Sequence, residues 1–191
     1  MKRQQVTEDD GGAMHGKTWW RTPPDLFAAL DARFGFVLDA CAHECDALCA
    51  RYWTKDDDAL AQDWRVGGYV FCNWPFTVKT NPRFTAKMAG EARRGAQIVA
   101  LGPISPNAKW WHTLLASVDE MWPFVGRLGY IDPVTGVQQS GPPFESAVYV
   151  WHGGPPPVWG PTVLPLSRKG EPTTEAGRAL WQYTRAQGVT R

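Results

Sequence analysis

The chain has 191 residues, a hydrophobic fraction of 43% and a formal net charge of +1. This length predicts one domain with terminal tails, and the small net charge excludes a global basic field for nucleic-acid binding. No apolar run reaches the roughly 18 residues of a membrane span and the polar N-terminus lacks the apolar core of a signal peptide, so we expect a cytoplasmic protein that does not enter a membrane.

The predicted elements alternate between helices and strands along the chain. Helices are expected at 22–33, 81–94, 107–117 and 173–186. Strands are expected at 36–39, 51–54, 69–72, 97–101, 121–124 and 146–151. This alternation of short strands and helices predicts an α/β fold with a mainly parallel sheet. Residues 40–50 are compatible with either a short helix or a structured loop, and residues 126–138 suggest a hairpin.

Composition divides the chain into three predicted regions. Residues 1–17 are polar with little apolar content, which is typical of a flexible arm. Residues 18–152 contain most of the alternating elements and form the predicted domain. Residues 153–191 begin with many prolines and glycines, so we expect an extended segment before the C-terminal helix.

Polar side chains follow three of the predicted strands. Asp39 ends the first strand, three aspartates at 56–58 follow the second, and Asn73 comes directly after the third. In an open α/β sheet, ligands bind beyond the carboxyl ends of the strands, so these side chains mark a candidate site. The three aspartates suit the two hydroxyls of a ribose, and a solvated acidic turn explains them equally well. No Gly-x-Gly-x-x-Gly pattern follows Asp39, which argues against a pyrophosphate-binding loop.

The tetrapeptide Asn73-Trp74-Pro75-Phe76 is the most informative motif of the chain and follows the apolar run 69–72. An amide oxygen accepts a hydrogen bond, proline restricts the backbone beside the carbonyls, and an aromatic ring stacks on a flat partner. These properties suit the binding of an extruded nucleobase by its exocyclic amino group. We therefore take Asn73, Trp74, Pro75 and Phe76 as the candidate catalytic residues.

Three of the four cysteines lie close together in the sequence. Cys41, Cys45 and Cys49 are four residues apart, and on a helix their thiols would share one face. A zinc site usually combines two separated pairs of ligands, and here Cys72 alone would have to supply the second pair. We therefore predict no metal site and interpret the thiols as reduced, small apolar side chains.

The order and spacing of several short landmarks resemble the phage-type DNA N-6-adenine methyltransferases, the Dam-like family. The resemblance covers about Trp19 to Trp151. Its landmarks are Thr22-Pro23-Pro24, residues 36–42, Asp58-Ala59-Leu60 with Asp63-Trp64, residues 72–76, Trp110-Trp111-His112, Gly126-Arg127-Leu128 and Pro143-Phe144. Each landmark is weak alone, and their combination is fairly specific.

The resemblance implies a Rossmann-like methyltransferase fold that uses S-adenosylmethionine, with helices on both faces of the sheet. It places Asp39 and Ala40 at the methionine end of the cofactor, with Thr22 close by. It also places one acid, Asp57 or Asp58, against the ribose or the adenine of the cofactor. Double-stranded DNA is the implied partner.

The resemblance also implies roles for the tetrapeptide. Asn73 and the backbone carbonyl of residue 74 would accept hydrogen bonds from the target amino group, and Phe76 would stack on the flipped base. Trp74 stands where the family motif has its first proline. The implied activity is methylation of the exocyclic amino group of adenine. The alternatives are a cytosine N-4 methyltransferase, or a protein that binds the cofactor and DNA or a host protein without turnover.

DNA binding by a chain of such low net charge requires local basic patches. The sequence offers Lys79 with Arg83 and the pair Arg93-Arg94. Recognition of a DNA sequence is expected to rest on the hairpin at 126–138 or on the C-terminal tail.

Overall fold

The computed structural model describes residues 19–139 and 144–186. The helices of this part are α1 Pro24–Phe34, α2 Thr80–Arg93, α3 Lys109–Leu115 and α4 Glu175–Ala186. The strands are β1 Phe36–Asp39, β2 Tyr69–Cys72, β3 Gln97–Pro103, β4 Glu120–Pro123, β5 Ser146–Trp151 and β6 Thr162–Val163. The arm predicted at 1–17 lies outside the described residues.

The six strands form one mixed sheet in the order β1-β2-β3-β5-β4-β6. Strands β1, β2 and β3 are parallel, and β6 is parallel to β4. Strand β5 is antiparallel to both of its neighbours, β3 and β4. The predicted α/β class is therefore confirmed, with a sheet that is parallel in three of its five pairings.

Both faces of the sheet are covered. Successive side chains of the central strands point to opposite faces, as strand geometry requires. One core cluster packs with α2 and α3 and includes Val70, Cys72, Ile98 and Ala100. The other packs with α1 and α4 and includes Phe71, Val99 and Leu101. Because β2 and β3 are buried on both sides, their sequences are almost continuously apolar.

Helix α1 begins two residues after its predicted start, at Pro24, and ends one residue after its predicted end, at Phe34. Pro24 occupies the first turn, where a missing backbone N–H removes no helical hydrogen bond. Gly35 follows the last turn with φ at 61°, a left-handed conformation that glycine adopts without strain, and its N–H donates to the Asp31 carbonyl. The Asp31 carboxylate then accepts a hydrogen bond from the Phe36 N–H at 2.8 Å. These contacts connect the helix directly to the start of β1.

Residues 51–54 do not form the predicted strand. Tyr52 makes a single parallel bridge to Asp39, and the Trp53 N–H donates to the Asp39 carbonyl at 2.8 Å. The segment then enters the 3-10 turn Lys55–Asp57, so its contact with β1 ends after one bridge. Residues 40–50, for which helix and loop were both open, form a loop with turns.

The C-terminal region adds a strand that the sequence did not indicate. Strand β6 has two residues, and both are exposed, so no apolar periodicity marks it. Further contacts connect this region to the core, where Leu164 and Leu166 are buried beside Trp122. The predicted hairpin is present in short form, as an antiparallel bridge between Ile131 and Gln138.

No helix in the described ranges is long and apolar enough to cross a membrane.

Candidate active site

A cavity of about 650 Å³ opens at the carboxyl ends of β1 and β2. The strand ends contribute Asp39 and Asn73 to its wall. The loop after β1, the segment before α1 and the hairpin supply most of the remaining wall, which includes Trp20, Thr22, Asp46, Asp56 and Ile131. Parallel strands whose carboxyl ends meet at one edge place these distant residues together.

The amide of Asn73 is held in one orientation. Its Nδ2 donates to the Trp20 carbonyl at 2.6 Å and to the Thr22 Oγ1 at 3.0 Å. With the amide nitrogen so occupied, Oδ1 is buried and accepts no hydrogen bond from any residue that the structure describes. A buried acceptor without a partner is costly, and it is rare outside functional sites. Asn73 therefore holds an amide oxygen whose capacity to accept an N–H group is unused within the described residues.

A second polar atom near the cavity also lacks a partner. The indole N–H of Trp20 is buried and donates to no group within the described part of the chain. Trp20 lines the same cavity as Asn73. The wall thus holds one unsatisfied donor and one unsatisfied acceptor.

The side chain of Trp74 is buried in the core, with only 1% of its surface exposed. Its indole N–H donates to Asn81 Oδ1 at 2.8 Å, and its ring packs edge-on against Phe76. Residue 74 lines the cavity, as does Pro75. The indole belongs to the core cluster between β3 and α2.

Phe76 is half-buried and is absent from the cavity wall. Its ring packs edge-on against Tyr130 and Phe144, with centroid distances of 6.1 and 5.6 Å. The structure therefore brings three of the four predicted catalytic residues to the cavity and places Phe76 in an adjoining aromatic cluster.

Asp39 is 4% exposed at the end of β1. One carboxylate oxygen accepts from the Cys41 N–H at 3.2 Å and the other from the Leu48 N–H at 3.3 Å. Burial raises the pKa of Asp39 to about 6, although these two backbone hydrogen bonds favour the charged form. Ala40 is also buried, and its N–H pairs with the Phe71 carbonyl of β2.

The two predicted ribose-binding acids lie outside the cavity wall. Asp57 accepts hydrogen bonds from the N–H and hydroxyl of Thr54 at 2.7 and 2.8 Å, and these bonds lower its pKa. Asp58 has φ at 46° and accepts from the Leu60 N–H at 3.2 Å. Both side chains therefore stabilise the turn, and their neighbour Asp56 lines the cavity.

The cysteines are divided between surface and core. Cys41 and Cys72 lie with their sulfur atoms 3.7 Å apart, and burial raises the pKa of the Cys41 thiol. Burial also raises the pKa of Cys49, to about 12. Because metals bind thiolates, such thiols are poor ligands at neutral pH. No group of three or more potential metal ligands occurs among the described residues.

Sequence reasoning missed two residues that shape the site. Trp20 supplies a carbonyl to Asn73, and no local pattern predicts that contact across 53 positions. Asn81 accepts the indole hydrogen bond of Trp74 from seven residues away. That contact had a signal, because a tryptophan beside a buried strand needs an acceptor for its N–H.

Comparisons with known proteins identify the family of the chain. The family model described as "DNA N-6-adenine-methyltransferase (Dam)" matches residues 13–155. The chain is similar to "Putative methyltransferase YfdM" of Escherichia coli (strain K12), with 41% identity over 63 residues. This match covers 30% of the chain and 69% of YfdM.

A second relative is the "DNA N-6-adenine-methyltransferase" of Escherichia phage T1, with 27% identity over 93 residues. That match covers 48% of the chain and 38% of the phage protein. An α/β sheet with a cavity at its strand ends, lined by Asn73, Trp74 and Pro75, is compatible with a methyltransferase-like protein. The chain belongs to the DNA N-6-adenine-methyltransferase (Dam) family.

Proposed function

We propose that this protein transfers a methyl group from S-adenosylmethionine to the exocyclic amino group of adenine in double-stranded DNA. The observation that carries the proposal is the buried Asn73 Oδ1, which has no partner in the described part of the chain while its amide nitrogen is occupied. An exocyclic amino group offers the N–H that this oxygen lacks. Family membership supports a methyl transfer to DNA.

The proposed role of Asn73 is to bind the amine and expose its lone pair. When Oδ1 of Asn73 and the carbonyl of residue 74 both accept hydrogen bonds from the target amino group, the lone pair of its nitrogen is held out of conjugation with the base ring. S-adenosylmethionine, when bound, supplies an electrophilic methyl group. Catalysis by the chain is then mainly positioning, which contributes through orientation of the reacting groups.

The buried carboxylate of Asp39 supports a cationic cofactor. The cavity wall also holds Arg21 and Lys55, and Arg21 pairs with Asp46, whereas Asp39 is buried without a cationic partner among the described residues. A carboxylate in such a setting stabilises a bound positive charge, and the methionine end of the cofactor carries an ammonium group. Asp39, Ala40 and Thr22 are therefore the proposed residues at that end. Asp56 replaces Asp57 and Asp58 as the proposed acid near the ribose, because it is the one that lines the cavity.

The unsatisfied donor of Trp20 suits the same base. Adenine presents a ring nitrogen acceptor beside its amino group, and cytosine does too. A cavity with one spare acceptor and one spare donor complements that edge. Phe76 is half-buried in the aromatic cluster beside the cavity, and it is proposed to stack on the extruded base from there.

The segment that follows Asn73 is the proposed DNA side of the site. Residues 73–118 carry six lysines and arginines and one acidic residue, a formal charge of +5. Since the whole chain carries +1, the remainder carries −4. Arg83 and Lys109 are exposed beside a groove of about 640 Å³ between α2 and α3. Phosphate contacts supply most of the affinity of proteins for DNA, so this basic segment supports a duplex on the α2 and α3 side.

The burial of the Trp74 indole in the core supports a working enzyme rather than a site that this side chain blocks. A vestigial pocket filled by this side chain would leave no room for a base, whereas here the indole packs between β3 and α2. The residue's carbonyl is the group that the reaction requires. We therefore favour an enzyme over a protein that binds its ligands without chemistry.

The test is incubation with labelled S-adenosylmethionine and unmethylated double-stranded DNA, followed by analysis of the nucleosides. We expect label in N6-methyladenine. Label in N4-methylcytosine would change the target base, and cofactor binding without incorporation on any DNA would favour the non-catalytic alternative. Asn73→Ala is the matched control, because it removes the amine-binding oxygen.

A further inference from the structure

The hydrogen bond between Trp74 and Asn81 joins the candidate catalytic motif to helix α2. The two atoms, Nε1 and Oδ1, are 2.8 Å apart, and both side chains are at least nine-tenths buried. Asn81 lies in the first turn of α2, where its N–H donates to the Thr77 carbonyl and its carbonyl accepts from Thr85 Oγ1. The acceptor is therefore fixed by the helix itself.

Strand β3 forms a second restraint on the same indole. A Cβ atom at Gly102 would lie 2.0 Å from Cη2 of Trp74 and 2.7 Å from two further ring atoms. Only glycine leaves space for the ring at that position. The ring of Phe76 closes a third side, with a centroid distance of 5.4 Å and an interplanar angle of 81°. The indole is thus confined by a strand, a helix and a neighbouring ring.

This confinement has a consequence for the backbone of residue 74. Proline at such a position restricts φ covalently, and tryptophan does not. The Trp74 side chain is fixed by packing and by a hydrogen bond, and because it is attached at Cα it restricts φ of residue 74 as well. The following proline, Pro75, already disfavours helical torsion angles at residue 74. The direction of the residue 74 carbonyl is then set by three neighbours of the indole.

The next carbonyl along the chain is already occupied. The Pro75 oxygen accepts hydrogen bonds from the Thr77 N–H at 3.1 Å and from the Thr80 hydroxyl. Thr80 in turn exchanges hydrogen bonds with Thr77. The carbonyl of residue 74, by contrast, accepts no hydrogen bond from the described residues and remains available to a ligand beside Asn73 Oδ1.

We propose that Asn81 is a positioning residue for methyl transfer, which acts through the Trp74 indole to direct the carbonyl of residue 74 toward the target amine. This inference rests on the proposed function. In this chain, Asn81 and Gly102 together with Trp74 replace the restraint that proline supplies in the related motif.

The experiment is a double-mutant cycle on methyl transfer. We expect Asn81→Ala and Trp74→Phe each to lower kcat on the order of 10-fold to 100-fold, because a small misplacement of a reacting group costs this much. We expect the Kd of S-adenosylmethionine to stay within about two-fold, since binding free energy changes little where no contact is lost. The double variant is expected to be no slower than the worse single variant, because both remove one hydrogen bond.

Three further variants separate positioning from simple loss of stability. Asn81→Asp retains an acceptor oxygen and is expected to restore most of kcat. Ser117→Ala removes the acceptor of another buried indole, that of Trp151, away from the candidate site and is expected to lower Tm without lowering kcat. In a Trp74→Pro background, Asn81→Ala is expected to leave kcat unchanged, because the pyrrolidine ring of the introduced proline then restrains the backbone.

The outcomes distinguish this inference from the proposed function. If the wild type transfers no methyl group to any DNA, the proposed function fails and the inference fails with it. If the wild type is active and Asn81→Ala has the same kcat, or if the two single effects add in the double variant, the inference alone is overturned. If Asn81→Ala does not fold, Asn81→Asp is compared in the wild-type and Trp74→Phe backgrounds. A high kcat for Asn81→Asp only where Trp74 is present supports the hydrogen bond.

Discussion

At the scale of single residues, Asn73 owes its chemistry to what surrounds it. Its amide nitrogen is occupied by the Trp20 carbonyl and the Thr22 hydroxyl, so its oxygen alone is left for a ligand. An asparagine after a strand is common in sequences. The two contacts from the segment before α1 are what turn it into an oriented acceptor.

We expect Asn73→Ala to lower kcat by about 100-fold or more, because it removes a hydrogen bond made to the reacting group. The Kd for S-adenosylmethionine is expected to stay near the wild-type value, since Asn73 is proposed to contact the base. Methyl incorporation and calorimetric titration measure the two quantities. Wild-type kcat in the variant would show that the residue is only structural.

Asp39 is buried, and its proposed role requires the ionised carboxylate. Its pKa of about 6 places the loss of that charge within an accessible pH range. As the pH falls from 7.5 to 5, we expect affinity for S-adenosylmethionine to weaken by about 10-fold, because the carboxylate becomes protonated. Asp39→Asn is expected to bind weakly with no such dependence. A flat pH profile in the wild type would contradict the proposed contact.

The stability of the protein without ligand is expected to change with pH in the opposite direction to the affinity for S-adenosylmethionine. The pKa of Asp39 is raised above its ordinary value of 3.8, so the folded state binds this proton more tightly than the unfolded state does. Its contribution to the free energy of unfolding is fully present below about pH 4 and is lost as the pH rises through about 6. Comparing urea unfolding of wild type and Asp39→Asn across this range isolates that contribution.

At the scale of elements, the short segment before α1 holds the cavity wall together. The backbone of Arg21 pairs with Ile131 of the hairpin through two hydrogen bonds, at 3.1 and 3.0 Å. Its guanidinium contacts the Asp46 carboxylate at 2.7 Å in the loop after β1. Trp20 and Thr22 in turn bind Asn73. Residues 19–22 therefore join the end of β2, the hairpin and the loop after β1.

Two truncations test this segment. A chain that starts at Thr18 is expected to keep its Tm and kcat, because residues 1–17 have too few apolar side chains to form a core. A chain that starts at Pro23 is expected to lose kcat on the order of 10-fold or more, since the Asn73 amide loses both of its restraints. Circular dichroism melting and methyl incorporation give the two readouts. Equal kcat in both truncated chains would show that the segment does not orient Asn73.

At the scale of the whole molecule, charge differs between the two sides of the motif at 73–76. The cavity wall combines four carboxylates with Arg21 and Lys55 and leaves Asp39 without a cationic partner among the described residues, whereas the α2 and α3 side belongs to a segment with a formal charge of +5. Of the predicted basic patches, Arg94 is engaged with Asp63 and Glu91, whereas Arg83 is exposed. Lys109, which belongs to neither predicted patch, is exposed as well. A cationic cofactor and an anionic duplex would therefore approach from different sides.

We expect Arg83→Glu and Lys109→Glu each to weaken DNA binding and to reduce the slope of log K against log salt by about one, the effect of losing one phosphate contact. Cofactor affinity is expected to be unchanged. Arg178→Glu is the matched control, because it is an equally exposed change of charge on α4. If the control weakens binding as much as the other two, only net charge matters and the proposed DNA side is wrong.

The sequence alone determined the α/β class, most of the element positions, the family resemblance and the motif at 73–76. These features are local, because apolar periodicity, proline and glycine placement and short motifs act within a few residues of one another. It misplaced a strand at 51–54 and missed β6, since a single bridge and a two-residue edge strand leave almost no periodic signal.

Only the tertiary structure decided which polar groups are satisfied and which are left for a ligand. The carbonyl of Trp20 reaches Asn73, Asn81 accepts from Trp74, and Gly102 leaves space for the indole. It also moved Asp57 and Asp58 out of the cavity wall and put Asp56 into it. These relations depend on distances between elements that are far apart in the chain. Hydrogen bonding and packing at that range follow from how the sheet and helices assemble, and no local pattern encodes them.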